Sequence, residues 1–164
     1  MKGFSPTLFD KLLGAAVTRS NLGAINRLSL DQVKNSVAVD LEALLNTRAV
    51  IDDDVFQPFP ECHRSIASYG LRDFAGMSLA STDDRAQICR SLENTISRHE
   101  PRLRNVRASL EIDQRHINRL NFAINALLVV HASKEPVSFD AVLQPSTLHY
   151  TINSVRRTAV RLGT

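Results

Sequence analysis

Apolar residues recur along this chain first with the period of a helix and then with the period of a strand. Leu30, Val33, Val37, Leu41, Leu44 and Leu45 lie on one helical stripe, because residues three and four apart share a face. Ser29 and Gln32 hold the S-x-x-Q spacing of a capping box, so a long helix is predicted over residues 30–46. Ile88, Leu92 and Ile96 carry a second stripe, flanked by Ala86 and Cys89. Ser81 and Thr82 precede it, and Asp83 and Asp84 suit the positive end of a helix dipole. Pro101 disfavours helical geometry at the residue before it, which stops this helix near His99. A shorter opening helix is read over residues 5–13. Pro6 takes its first position, Leu8, Phe9, Leu12 and Leu13 share a face, and Gly14 ends it.

After Pro101 the period drops to two. Val106, Ala108, Leu110 and Ile112 alternate with Asn105, Arg107, Ser109, Glu111 and Asp113. A second strand alternates through Leu120, Phe122, Ile124, Ala126, Leu128 and Val130. Its other side begins polar at Asn121 and Asn125 and turns apolar at Leu127 and Val129, the pattern expected where one end is covered on both faces. Shorter strands are read over residues 137–143 and 148–152, split by a turn at Pro145. Residues 15–27 read as a linker. Residues 47–82 read as a long irregular segment, held by Val55, Phe56, Phe59, Ile66, Tyr69, Leu71, Phe74 and Met77 packing beneath it. Helices first and strands after predict an α+β fold, with N-terminal helices on one face of a C-terminal, mostly antiparallel sheet. The organisation expected is a short helix and linker over residues 1–28, a folded domain over 29–154 and a tail over 155–164.

The 164 residues suffice for one domain with a core, and 43% apolar and 23% charged residues are ordinary for a globular chain. The net charge is +3, and arginine far outnumbers lysine without forming a cluster. Nucleic-acid binding, which needs a basic patch, is therefore not expected. Cys62 and Cys89 form neither a disulfide framework nor a metal motif, and the five histidines are scattered. The start "MKGFSPTLFDKLL" lacks a signal-peptide core, and "AINALLVVHA" is too short and interrupted to span a bilayer. These features predict a soluble cytoplasmic protein.

The chemistry worth weighing sits in "SRHEPRLRNVRASLEID". Glu100 should be extended ahead of Pro101, so Glu100 and Arg102 should project together. Three readings follow: a helix stop with two solvated charges, a docking feature, or a catalytic acid with its partner. A glycoside hydrolase needs a second carboxylate about 5–9.5 Å away. Glu111 and Asp113 lie too far along the strand, and Glu93 is two helical turns back. Arg102 would also hold Glu100 ionised, the wrong state for a general acid. No nucleophile motif or phosphate-binding glycine loop is present in the sequence.

Four segments occur in order: "SVAVDLEALLNTR", "SIASYGLRDFAG", "HEPRLRNV" and "EPVSFDAVLQPSTLHYTI". Together they resemble the lysozyme-like baseplate wedge proteins of contractile tailed phages, and within that family the chain is most similar to the TssE subunits of type VI secretion systems. Two positions depart from the pattern: Ala49 stands where many relatives have a second arginine, and His99 where they often have an aromatic residue. The resemblance implies a structural wedge domain beside the hub and inner tube, with a sheet like the sheath's strand-exchange domain that templates the first sheath ring. It implies that Glu100, Pro101 and Arg102 dock in the baseplate core. It implies no catalytic residue, cofactor, metal, nucleic acid or direct membrane insertion. The implied partners are other wedge subunits, the hub or inner tube, and sheath proteins, at cytoplasmic baseplates docked to the inner-membrane complex. Leu44, Asn46 and Arg48, closing the first long helix, are a candidate second contact surface, with core packing the favoured role of Leu44. Tyr69 is a candidate partner contact, with Gly70 shaping its loop. The rivals are a peptidoglycan-acting hydrolase and the equivalent wedge subunit of a phage or other contractile particle. The strand region over residues 137–152 is expected to leave a sheet edge open.

Overall fold

The computed structural model describes residues 29–74, 76–78, 81–111, 120–130, 133–144 and 146–155. The predicted opening helix, the linker, the turn at Pro145 and tail residues 156–164 lie outside them. The described elements are α1 (Leu30–Asn46), α2 (Asp53–Phe56), two 3-10 turns (Pro60–Arg64 and Ile66–Ser68), α3 (Thr82–His99), β1 (Leu103–Glu111), β2 (Leu120–Val130), β3 (Ser133–Gln144) and β4 (His149–Val155). The strands form one antiparallel sheet in the order β1-β2-β3-β4. The α+β architecture is the predicted one.

The two long helices, α1 and α3, start where their caps predict. Gln32 N–H donates to Ser29 Oγ at 3.2 Å while Ser29 N–H donates to Gln32 Oε1 at 2.7 Å, a complete capping box. Ser81 Oγ accepts from Asp84 N–H at 3.3 Å, and Asp84 accepts from Ser78 N–H at 2.7 Å. The stripes Val37–Leu41–Leu44–Leu45 of α1 and Ile88–Leu92–Ile96 of α3 are buried against Phe122, Ile124, Leu128, Phe139, Ala141 and Tyr150 of the sheet. Burying one such leucine or phenylalanine contributes about 1.5–3 kcal/mol. α3 packs along β1 and α1 along β4.

Three expectations are corrected. Residues 47–82 are not simply irregular, since α2 and the 3-10 turns occupy part of them. Their bonds are local, such as Phe59 N–H to Phe56 O at 2.8 Å and Cys62 N–H to Phe59 O at 2.9 Å, and runs this short do not repeat a helical period. Of the residues expected to pack beneath the segment, Phe56 and Leu71 are buried, whereas Val55, Phe59 and Ile66 are exposed. Tyr69, Phe74 and Met77 pack against the core as expected, and main chain adds to this anchor: Leu71 N–H donates to Thr47 O at 2.8 Å and Ala49 N–H to Leu71 O at 3.1 Å.

In β1 the alternation starts earlier and breaks once. Arg104 lies opposite Leu127 and Arg107 opposite Asn125, so Asn105 and Val106 together face one residue of β2. This bulge puts Asn105 at φ 53° and lets Leu103 and Val106, three positions apart, both point inward. In β2 the inward face is as read. Leu127 and Val129 are half-buried, flanked across the strands by Arg104, Pro136 and Lys134.

The third correction concerns the edge. Tyr150 and Ile152 turn their main-chain groups away from β3 and toward α1. Tyr150 N–H donates to Asn46 Oδ1 at 2.8 Å, Asn46 Nδ2 donates to Tyr150 O at 2.9 Å, and Ile152 N–H donates to Glu42 Oε2 at 2.8 Å. The edge of β4 is therefore covered at Tyr150 and Ile152, where it was expected to lie open.

Candidate functional site

The junction between α3 and β1 is built by its proline. Glu100 ends α3, donating its N–H to Ile96 O at 2.8 Å, and leaves helical geometry at φ −116°, ψ 84°. Pro101 stands exposed at the apex, and Leu103 N–H closes the turn on Glu100 O at 3.1 Å. Pro101's ring removes one backbone freedom and restricts its neighbour, so the turn is stiff.

Glu100 and Arg102 do meet, but they point inward. Arg102 Nε donates to Glu100 Oε1 at 2.7 Å and Nη2 to Oε2 at 2.5 Å, a bidentate pair. Arg102 N–H donates to Glu100 Oε1 at 3.1 Å. Arg102 Nη2 also donates to Asp40 on α1. Glu100 is only 5% exposed, which replaces the expectation of two solvated charges with a clasp fastening the turn to α1. Burial alone would lower the Arg102 pKa, but the hydrogen bonds and charges of Glu100, then Asp40, hold the guanidinium above its ordinary value. Its Nη1 is buried without a hydrogen-bond partner among the described residues.

Asp40 is the residue missed in the sequence. It lies three after Val37 and four before Leu44, inside the apolar stripe of α1. A carboxylate in a core stripe signals a buried cation opposite.

Leu44, Tyr69, His99 and Pro101 join the clasp in lining a groove of about 430 Å³. The Tyr69 and His99 rings meet edge-on, centroids 5.3 Å apart at 70°. His99 Nε2 lies 2.9 Å from Ser68 O, to which it donates, tying the end of α3 to the loop that presents Tyr69. Burial lowers the His99 pKa, Arg98 adds to this and the Ser68 carbonyl opposes it. Burial, then the carboxylates of Asp40 and Glu100, raise that of Tyr69. The structure thus gathers Glu100, Pro101, Arg102 and Tyr69 around one groove. Asn46 and Arg48 do not line it. Asn46 is engaged with Tyr150, and Arg48 reaches Leu148 O at 3.4 Å.

A second polar cluster centres on Asp53, with Arg98 at 3.2 Å, Arg72 at 3.9 Å and His63 at 3.9 Å. Among the described residues no group of three His, Cys, Asp or Glu could hold a metal ion, and no helix is long and apolar enough to cross a membrane.

Three curated relatives are anti-adapter proteins IraD from Escherichia coli strains 536, CFT073 and UTI89. Each is 25% identical over 111 residues, which cover 66% of this chain and 84% of the relative. Residues 31–133, which include α1 beyond Leu30, the clasp and the groove, match the family of baseplate wedge protein gp25. That match spans more than half of the 164 residues, and the chain belongs to this family of phage-tail-like structural baseplate proteins.

Proposed function

We propose that the protein is the TssE-type wedge subunit of a type VI secretion baseplate, acting in the cytoplasm where the baseplate docks on the inner-membrane complex. Its work is mechanical. It holds a contact with other wedge subunits and the hub or inner tube, and it starts sheath polymerisation. The observation that carries this reading is the clasped Glu100-Pro101-Arg102 turn in a chain of the wedge family. A rigid, exposed proline beside a groove of Leu44, Tyr69 and His99 is suited to receive a partner segment without reordering.

The test is sheath assembly in cells that lack their own wedge subunit, followed with a fluorescent sheath protein. The wild-type chain should restore sheaths. Tyr69→Ala and Pro101→Ala, which touch the groove and leave the clasp in place, should fold yet fail to restore them. Normal sheath assembly by both variants would overturn the reading.

The rival hydrolase reading asks Glu100 to deliver a proton to a substrate. Glu100 is 5% exposed and both of its oxygens accept from Arg102, which argues for the structural role. Turnover of cell-wall substrate, abolished by Glu100→Gln, would favour the hydrolase. The match to anti-adapter proteins over 84% of their length motivates another reading, in which the chain captures an adapter protein. A pull-down dominated by an adapter instead of baseplate subunits would favour that.

A further inference from the structure

The two outer edges of the sheet are protected by different means. β1 protects itself. It carries Arg104, Arg107 and Glu111 and is broken by the bulge between Arg104 and Arg107, devices that spoil a strand as a template. Glu93 of α3 adds one more, accepting from Ala108 N–H at 2.9 Å.

β4 has no such features. Its seven residues, HYTINSV, include no lysine, arginine, aspartate, glutamate or proline. A short β-prone segment of low charge is the kind that pairs with copies of itself. Its protection comes from α1. Tyr150 and Ile152 lie two apart, so their main-chain groups face the same side, and both are engaged. The Asn46 carboxamide accepts from Tyr150 N–H at 2.8 Å and donates to Tyr150 O at 2.9 Å, the two bonds a residue of a neighbouring antiparallel strand would make. One strand-step on, Glu42 accepts from Ile152 N–H at 2.8 Å. Ser154 Oγ donates to Asn35 Oδ1 at 3.1 Å, continuing the attachment along α1.

We propose that Glu42 and Asn46 are plugs that imitate a fifth strand, and that the occupant they exclude is β4 of a second copy of this chain. Two antiparallel β4 strands would pair about a two-fold axis and run one sheet through both copies. This inference does not depend on the secretion-system reading.

The test is the double variant Glu42→Ala, Asn46→Ala in the full chain. In the dilute monomer its Tyr150 and Ile152 amides should exchange about five- to tenfold faster, the factor for losing one hydrogen bond, and they should slow again as the dimer forms. Sedimentation equilibrium should show a concentration-dependent dimer where the wild type is monomeric. A folded double variant that stays monomeric up to millimolar concentration, with unchanged exchange at both amides, overturns the proposal. If the double variant does not fold, Glu42→Ala and Glu42→Gln replace it. Glutamine keeps an acceptor for Ile152 N–H, so it should restore slow exchange and the monomer. Identical behaviour of the two single variants would also overturn the proposal.

Discussion

Truncating Arg102 to alanine isolates what the clasp contributes. Glu100 is 5% exposed, and among the described residues each hydrogen bond to its carboxylate comes from Arg102, through N–H at 3.1 Å, Nε at 2.7 Å and Nη2 at 2.5 Å. Arg102→Ala removes the two side-chain donors and the compensating charge, leaving a buried carboxylate with one weak amide. Removing one partner of a buried ion pair costs about 3–5 kcal/mol. The Asp40 side chain is 39% exposed and can rehydrate, so the lower end, about 3 kcal/mol, is expected. At about 2–4 °C per kcal/mol for a chain of this size, the melting temperature should fall by roughly 6–12 °C. Urea unfolding followed by circular dichroism reads the free energy directly. The double variant Glu100→Gln, Arg102→Met removes both charges and should recover more than half of the loss, because the cost lies in the stranded charge and not in the missing contact. A single variant that loses less than about 1 kcal/mol, or a double variant less stable than the single, would refute the argument.

Gly70→Ala should cost about 2 kcal/mol in urea unfolding, since Gly70 has φ +118° and a Cβ there would stand 2.6 Å from Thr47 O; a loss below about 0.5 kcal/mol would show that the loop yields easily. Tyr150→Phe should be neutral or mildly stabilising, within about 0.5 kcal/mol, because the Tyr150 hydroxyl is buried without a hydrogen-bond partner among the described residues. Spectroscopic titration of that phenol should place it at about 12, pushed up by burial and only partly countered by Arg48. For His99, a pKa lowered by burial means that the folded state binds fewer protons than the unfolded state. Its contribution is therefore intact above about pH 6.5 and is lost as pH falls below that value. His99→Phe should make stability fall less steeply between about pH 7.5 and 5.5, and an unchanged slope would refute this assignment.

The two long helices and β2 were readable because each carries an uninterrupted period and, for the helices, a local cap. Ser29 with Gln32 and Ser81 with Asp84 form bonds only three residues long, and sequence spacing captures those. β1 was readable in kind and not in start, because the bulge at Asn105 shifts its alternation by one. The turns after Asp53 were not readable, since none is long enough to repeat. At the site, proline chemistry located the Glu100-Pro101-Arg102 turn, but its inward direction depends on Asp40, 62 residues away from Arg102. The edge plugs were hidden for the same reason. Nothing local to Glu42 announces Ile152, 110 residues later. An aspartate inside an apolar stripe was the one available sign that α1 faces something charged.

The pairing of Asn46 with Tyr150, 104 residues apart, also sets an order of events during synthesis. Among the described elements α1 leaves the ribosome first and β4 last. At about 5–20 residues per second the helix waits roughly 5–20 s for the strand that completes its packing. Through that interval Val37, Leu41 and Leu45 have only part of their eventual cover, and the plug residues have nothing to close. A nascent chain halted ahead of residue 149 would be no smaller version of the domain. It would have a loose helix and a bare β3 edge. Arrival of β4 satisfies both at once.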